Sequence, residues 1–173
     1  TPRPYHITNI VLHAVNAALV FALIVLLTGN CWAAFFCAAL FGVHPMHAES
    51  VAWISERKDM LYALFFLAAS LSYIRFARTA SKAALAGSVF CFLLSLGAKP
   101  MGITLPAVVF VYDYLLGRQF TFKLLYEKIP YIIAAALFGV FSVFLLHSAN
   151  QVHLCYTFAD KVLFAFYGLA FYI

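Results

Sequence analysis

From Ile7 to Thr28 the chain runs for 22 residues without Asp, Glu, Lys or Arg. A helix of that length covers about 33 Å, enough to cross the ~30 Å hydrocarbon core of a bilayer. Six further apolar segments follow, at 31–47, 60–76, 83–98, 102–116, 129–146 and 162–173. Hydrophobic residues make up 66% of the chain and charged residues 10%. Soluble domains run about 45–50% apolar and about 25% charged, so a soluble globular domain is excluded. Disorder and a disulfide scaffold are excluded with it. The segments predict an all-α, polytopic transmembrane helix bundle of about seven helices, a single transmembrane module over 1–173.

The segment boundaries have physical causes. Gly29-Asn30 ends the first run. The stretch from Ala83 to Leu116 is too long for one crossing, and Lys99-Pro100 divides it, because proline lacks an N–H donor and disfavours helix at the residue before it. The chain opens at Thr1 without methionine and stops at Ile173 inside an apolar run, so a piece of a longer protein is expected. The cysteines, Cys31, Cys37, Cys91 and Cys155, form no C-x-x-C and are expected as free, membrane-buried thiols.

The net charge of +5 comes from basic residues spread between apolar runs, with no cluster or basic tail. Nucleic acid is therefore not an expected partner. The charges are better used to orient the bundle. With the Gly29-Asn30 turn on the cytoplasmic side, that side carries Arg75, Arg78, Lys82, Arg118, Lys123 and Lys128. The outer side carries Arg3, Arg57, Lys58, Lys99 and Lys161, several of them beside acids.

The richest stretch for chemistry is 44–59, His-Pro-Met-His-Ala-Glu-Ser-Val-Ala-Trp-Ile-Ser-Glu-Arg-Lys-Asp. It holds three of the six acids and two of the six histidines. A helix from Cys31 covers only ~20 Å by Val43, so His44, His47 and Glu49 fall at or just below the outer interface. Polar groups at that depth must face protein or a wet cavity. Asp59 is expected as the N-cap of a helix beginning at Met60. A substrate-binding loop ranks first here and a structural turn second. A metal site ranks third, because Pro45 interrupts the helix that would align the two histidines and H-x-x-H-x-E matches no established zinc spacing. No metal or cofactor is therefore assigned; a divalent metal is not favoured.

Two other features carry polar groups into the bilayer. His6, Asn9, His13 and Asn16 recur at intervals of three, four and three, which puts them on one helix face. His6 and Asn9 are expected to wall a polar cavity at the outer end, and Asn16 to make an interhelical hydrogen bond. Lys99, in Gly97-Ala-Lys-Pro-Met-Gly102, either snorkels to the outer interface or serves as a cation for a phosphate. Asp113 is expected to pair with Arg118 or another inner-loop cation.

With these residues in view, the chain resembles a known family. The run Tyr5-His-Ile-Thr-Asn-Ile-Val-Leu-His-Ala-Val-Asn16 resembles the second transmembrane helix of multi-pass proteins bearing C-terminal tetratricopeptide repeats. The stretch from His44 to Leu61 resembles their most recognisable motif. Ala98-Lys-Pro-Met-Gly-Ile-Thr-Leu-Pro106 and Asp113-Tyr114, followed by Leu-Gly-Arg118, are similar to later motifs in the same order. The resemblance covers Tyr5 to about Lys128. Such proteins occur in bacteria, and their eukaryotic relatives are the transmembrane and tetratricopeptide-repeat O-mannosyltransferases that act on cadherins. Both resemble the GT-C class of lipid-linked-sugar glycosyltransferases.

The resemblance implies a GT-C-like fold and a mannose-like sugar arriving on a polyprenyl or dolichyl phosphate. An outer-side carboxylate would act as base on a protein hydroxyl, with inversion at the sugar. In that class the base lies in the first outer loop, which would precede this chain. Glu49 would then support the acceptor or the base. Arg57 and Lys99 would hold the donor phosphate, with His6, Asn9, His44, His47 and Asp59 as further substrate-binding residues. The implied partners are the lipid bilayer, the lipid-linked sugar and a protein acceptor. The implied location is the bacterial inner membrane or the endoplasmic reticulum membrane. Two alternatives stand beside this: a transporter or flippase for a lipid-linked or small polar substrate, and a membrane anchor for the repeat domain.

Overall fold

The computed structural model describes residues 3–53 and 56–148, together with Leu163, Phe164 and Tyr167. The seventh expected segment, Cys155 and Lys161 lie, apart from those three residues, outside the described ones. The chain divides into two compact units, 1–139 and 140–173. In the second, the described residues are the last residues of a long helix and Leu163, Phe164 and Tyr167, all helical.

Among the described residues there are seven α-helices, one 3-10 segment and no strand. They are α1 (Arg3–Thr28), α2 (Cys31–Val43), α3 (Met46–Ala52), α4 (Arg57–Thr79), α5 (Lys82–Ala98), the 3-10 segment Pro100–Thr104, α6 (Leu105–Leu115) and α7 (Phe122–Ser148). Three stretches are long and apolar enough to cross a membrane: Pro4–Thr28, Arg57–Thr79 and Leu124–Leu145. An all-α membrane bundle is the result. In hydrocarbon only helices and closed barrels satisfy every backbone group internally, and here helices do so.

The breaks follow local chemistry. Gly29 takes φ +70°, open to glycine at little cost, and ends α1. Asn30 Oδ1 accepts from Trp32 N at 2.9 Å and Ala33 N at 3.2 Å, capping α2. The expected single segment 31–47 is in fact two helices. Pro45 interrupts it, and α3 departs from α2 by 59°. His44 is extended there, and its Nδ1 accepts from Met46 N at 3.2 Å. The helix expected at Met60 begins at Arg57, with Glu56 rather than Asp59 at the cap position. Asp59 instead stands in the first turn, where a carboxylate suits the helix dipole. The last expected inner helix likewise starts early, at Phe122 rather than Ile129, and carries Glu127 and Lys128 within it.

Within the first unit, α4 is the central helix and packs on α1 and α5. The core joins Leu23, Ala69, Tyr73, Phe92, Leu96, Leu105, Val109 and Tyr131 from five helices. Short polar links pin the helices inside it. Ser88 Oγ donates to Ala69 O at 2.7 Å, and Tyr131 OH donates to Ser88 Oγ at 2.7 Å. Ser95 Oγ donates to Tyr62 O at 3.2 Å. Gly102 lets the 3-10 segment lie against α5: a Cβ there would stand 3.2 Å from Ser95 Oγ and 3.3 Å from the Leu96 backbone nitrogen. The outward faces stay apolar, with Phe35, Phe36, Leu40, Phe90 and Leu137 exposed, as a bilayer requires.

Candidate functional site

The helices alternate in direction, so the first unit has two polar ends. One holds α3, the start of α1 and the start of α4. The other holds Asp113 and the loop between α6 and α7.

At the α3 end, the polar face of α1 reaches its neighbours residue by residue. Asn9 is fully buried, and its Nδ2 donates to Trp53 O at 3.1 Å and Val51 O at 3.4 Å. His13 Nε2 lies 3.1 Å from Gly42 O. Asn16, also fully buried, donates from Nδ2 to Met60 O at 3.0 Å. The interhelical hydrogen bond expected of Asn16 is present. Asn9, expected to wall a cavity, ties α1 to α3 in the same way. Its burial follows from α3 folding back across α1 once Pro45 turns the chain.

Three imidazoles meet beside this ladder. The His13 and His47 rings are centred 5.5 Å apart and the His44 and His47 rings 6.0 Å apart. Phe41 lies 4.4 Å from His47 and stacks on His13 at 5.4 Å. His13, His44, Pro45 and His47 line a cavity of about 200 Å³ with Gly42 and Val51. In α3, outside the three long spans, burial pushes the His47 pKa below its ordinary value, and the neighbouring His13 and His44 push it further. Among the described residues, no group of three His, Cys, Asp or Glu side chains is placed to hold a metal ion.

The cations of this end form a second cluster. Lys99 Nζ bonds Asp59 Oδ1 at 2.7 Å, joining the α5–3-10 junction to the first turn of α4. The Arg57 guanidinium lies 5.0 Å from the centre of the Tyr5 ring, a cation–π contact. Its Nε and Nη2 are buried and have no hydrogen-bond partner among the described residues. Glu49 is exposed on α3, and His6 is half-buried on the first turns of α1. Of the residues expected to support or bind substrate, His6, Glu49, Arg57 and Lys99 do not line the imidazole cavity.

The opposite end is built on Asp113, which is fully buried. Tyr73 OH lies 2.8 Å from both of its carboxylate oxygens. Arg118 Nη1 donates to Oδ1 at 2.9 Å, and Lys128 Nζ pairs with Oδ2. Arg118 Nη2 also donates to Glu127 Oε2 at 2.9 Å. Partial burial works against the Arg118 charge, but the Asp113 and Glu127 carboxylates hold its pKa above the ordinary value. The expected Asp113–Arg118 pair is present. Lys128 is one of the inner-loop cations that the expectation for Asp113 allowed, whereas the buried Tyr73 was not singled out in the sequence. Glu127-Lys128 beside an apolar run was the available signal for the burial of Lys128, had the helix been started early enough. Tyr5 was missed as well, although it precedes Asn9 by four residues and so shares its helix face.

All five orphaned buried polar atoms among the described residues belong to the α3 end: Asn9 Oδ1, His13 Nδ1, Asn16 Oδ1, and Arg57 Nε and Nη2. Fold and polar ends together define a multi-pass membrane protein that keeps unsatisfied polar groups at one end of its bundle.

Comparison with known proteins gives the family. The chain is 34% identical over 127 residues to the human protein O-mannosyl-transferase TMTC2, an alignment covering 70% of this chain and 15% of that protein. It is 33% identical over 148 residues to human TMTC4, covering 74% and 20%. It is 38% identical over 123 residues to mouse TMTC1, covering 65% and 13%. The chain is thus a homologue of the TMTC protein O-mannosyl-transferases. It spans only 13 to 20% of the length of these relatives. No family model and no solved structure matches it.

Proposed function

We propose that the chain is part of a protein O-mannosyltransferase that takes a mannose-like sugar from a polyprenyl or dolichyl phosphate and passes it to a protein hydroxyl. The α3 end faces the outer or luminal side in this reading, and the bilayer is the bacterial inner membrane or that of the endoplasmic reticulum. The observation that carries it is the Arg57 guanidinium, held against Tyr5 with two buried nitrogens lacking partners. Buried guanidinium nitrogens without partners are costly unless an anion completes them, and a phosphate fits their donor geometry. Lys99, oriented by Asp59, supplies a second cation at the same end.

Transfer forms a bond from the acceptor oxygen to the anomeric carbon. It breaks the bond from that carbon to the phosphate oxygen, which departs with the electron pair. The acceptor proton passes to a carboxylate. In this reading Arg57 and Lys99 hold the donor phosphate as it gains charge, which stabilises the transition state. The exposed Glu49 supports the acceptor side, and His6, His44 and His47 meet sugar or acceptor hydroxyls. Asn9 acts through position, by holding α3 on α1.

A transporter reading requires a polar route through the bundle, whereas its core is packed with Ala69, Phe92, Leu105 and Val109 and the hydroxyls of its buried serines, Ser70, Ser88 and Ser95, are tied to backbone carbonyls. The test is transfer of mannose from a lipid-linked donor to an acceptor peptide by the full-length protein carrying Arg57→Ala or Lys99→Ala. Each loses one charged contact to the phosphate, for a fall in kcat/KM of roughly 10- to 100-fold. Unchanged transfer by both variants would overturn the proposal.

A further inference from the structure

We infer that the Asp113 end carries a seat for an anionic phospholipid, built around Arg75 and Arg78 at the end of α4. This is independent of the sugar-transfer site, which lies at the other end.

The charge balance of this end is uneven. Its described carboxylates, Asp113 and Glu127, are engaged by Arg118 and Lys128. Among the described residues, Arg75, Arg78 and Lys82 have no carboxylate partner. Arg75 and Arg78 are three residues apart on α4 and therefore neighbours on its surface. The Arg78 guanidinium is fixed rather than free, because its Nη2 donates to Leu26 O in the last turn of α1.

Two cavities flank α4 beneath these residues. One, of about 330 Å³, lies between α1 and α4 and is lined by Leu26, Leu71, Ile74, Arg75 and Arg78. The other, of about 300 Å³, lies between α4 and α5 and is lined by Ser72, Arg75, Ser81, Ala84 and Gly87. Arg75 and Ser72 line both. Gly87 leaves the second open, with no heavy atom within 4 Å of where its Cβ would stand.

The lining selects the occupant. Two guanidiniums and the Ser72 hydroxyl suit a phosphodiester oxygen. Leu26 and Leu71, both half-buried, continue from them along the helices, an apolar wall that a free phosphate has no use for and an acyl chain covers. Basic pockets between transmembrane helices take anionic headgroups on the same grounds. A negatively charged glycerophospholipid, with its phosphate at the guanidiniums and one chain along Leu26 and Leu71, satisfies both halves.

The test is native mass spectrometry of the full-length protein released from nanodiscs of phosphatidylcholine with a minor share of phosphatidylglycerol. Wild type should retain phosphatidylglycerol selectively. The double variant Arg75→Gln, Arg78→Gln should retain roughly 25-fold less, taking about one charged contact per arginine. Arg75→Lys with Arg78→Lys should keep most of it. Lys58→Gln, which removes an equally exposed cation at the other end, should change nothing. Both arginines are exposed, and circular dichroism checks that the variants fold. Equal retention by wild type and the double glutamine variant, equal loss in Lys58→Gln, or no preference for phosphatidylglycerol over phosphatidylcholine would each overturn the inference. Displacement of the lipid by millimolar inorganic phosphate would also overturn it, assigning the guanidiniums to a free anion.

Discussion

Replacing Asp113 with Asn should destabilise the bundle by about 3–5 kcal/mol, the cost of stranding a buried charge by deleting its partner. The magnitude follows from what the carboxylate holds. It accepts hydrogen bonds from Tyr73 and Arg118 and pairs with Lys128, and both Asp113 and Lys128 are fully buried. If only hydrogen bonds were at stake, about 0.6 kcal/mol for each interhelical bond in a membrane would give a total nearer 2 kcal/mol. The difference is the Lys128 charge. After the substitution its nearest carboxylate is Glu127, 4.0 Å away and already engaged by Arg118, so the charge is only partly compensated. The assay is reversible unfolding in mixed micelles by SDS titration, followed by far-UV circular dichroism. A double variant, Asp113→Asn with Lys128→Met, separates the two causes. It removes the stranded charge and should recover at least about 2 kcal/mol of the single-variant loss. If the double variant is as unstable as the two single losses added together, the charge-pair argument is wrong. A single-variant loss below about 0.5 kcal/mol would refute the network itself.

Gly102→Ala should cost about 1–3 kcal/mol in the same assay, because the new methyl meets Ser95 Oγ at 3.2 Å and the Leu96 backbone at 3.3 Å. A change within experimental error would mean that the 3-10 segment is free to shift. The contact of α3 with α1 should weaken as pH falls. The His47 pKa is lowered in the packed state, mainly by burial and then by His13 and His44. The detached state therefore binds the proton more readily, and the stabilisation is complete above about 6.5 and lost as pH drops through the lowered value. Hydrogen exchange of the α3 amides at pH 7.5 and 5.5, corrected for intrinsic rates, reads this directly. Equal protection at both values would remove the imidazole cluster as its cause.

Much of the fold was legible because hydrocarbon imposes one rule on every residue. Runs such as Ile7–Thr28 have no other stable home, and their uncharged length fixes them as spans. The errors fall where side chains of mixed character blur that rule. α7 begins seven residues before Ile129, because Phe122, Leu124, Leu125 and Tyr126 lead into Glu127 and Lys128, charges that are paired within the protein. Lys128 was legible as a cation open to Asp113, but not as a buried residue inside α7, because that pairing joins residues 15 apart across a turn. The α1 face was readable from its three-four-three spacing. Its destination was not, because whether Asn9 meets a cavity or a backbone carbonyl depends on where α3 folds. That in turn depends on the direction taken after Pro45, which periodicity does not encode.

The two ends of the bundle differ in one respect that bears on function. Both bring charged groups into an apolar setting, which is expensive wherever it is done. Around the buried Asp113 the cost is met internally: carboxylates, guanidinium, ammonium and phenol satisfy one another. At the α3 end it is left unmet, with a guanidinium, an imidazole and two amides each keeping a buried polar atom without a partner. A structural turn would gain stability by satisfying or replacing those groups, as the Asp113 end demonstrates this chain can do. Unpaired polar atoms gathered at one end are what a site requires if its partners arrive with the substrate. The motif that resembles the O-mannosyltransferases from His44 to Leu61 runs through that end. Of the four residues with unsatisfied atoms, Arg57 lies in that motif, and Asn9, His13 and Asn16 lie in the Tyr5–Asn16 run of α1 that resembles the same family.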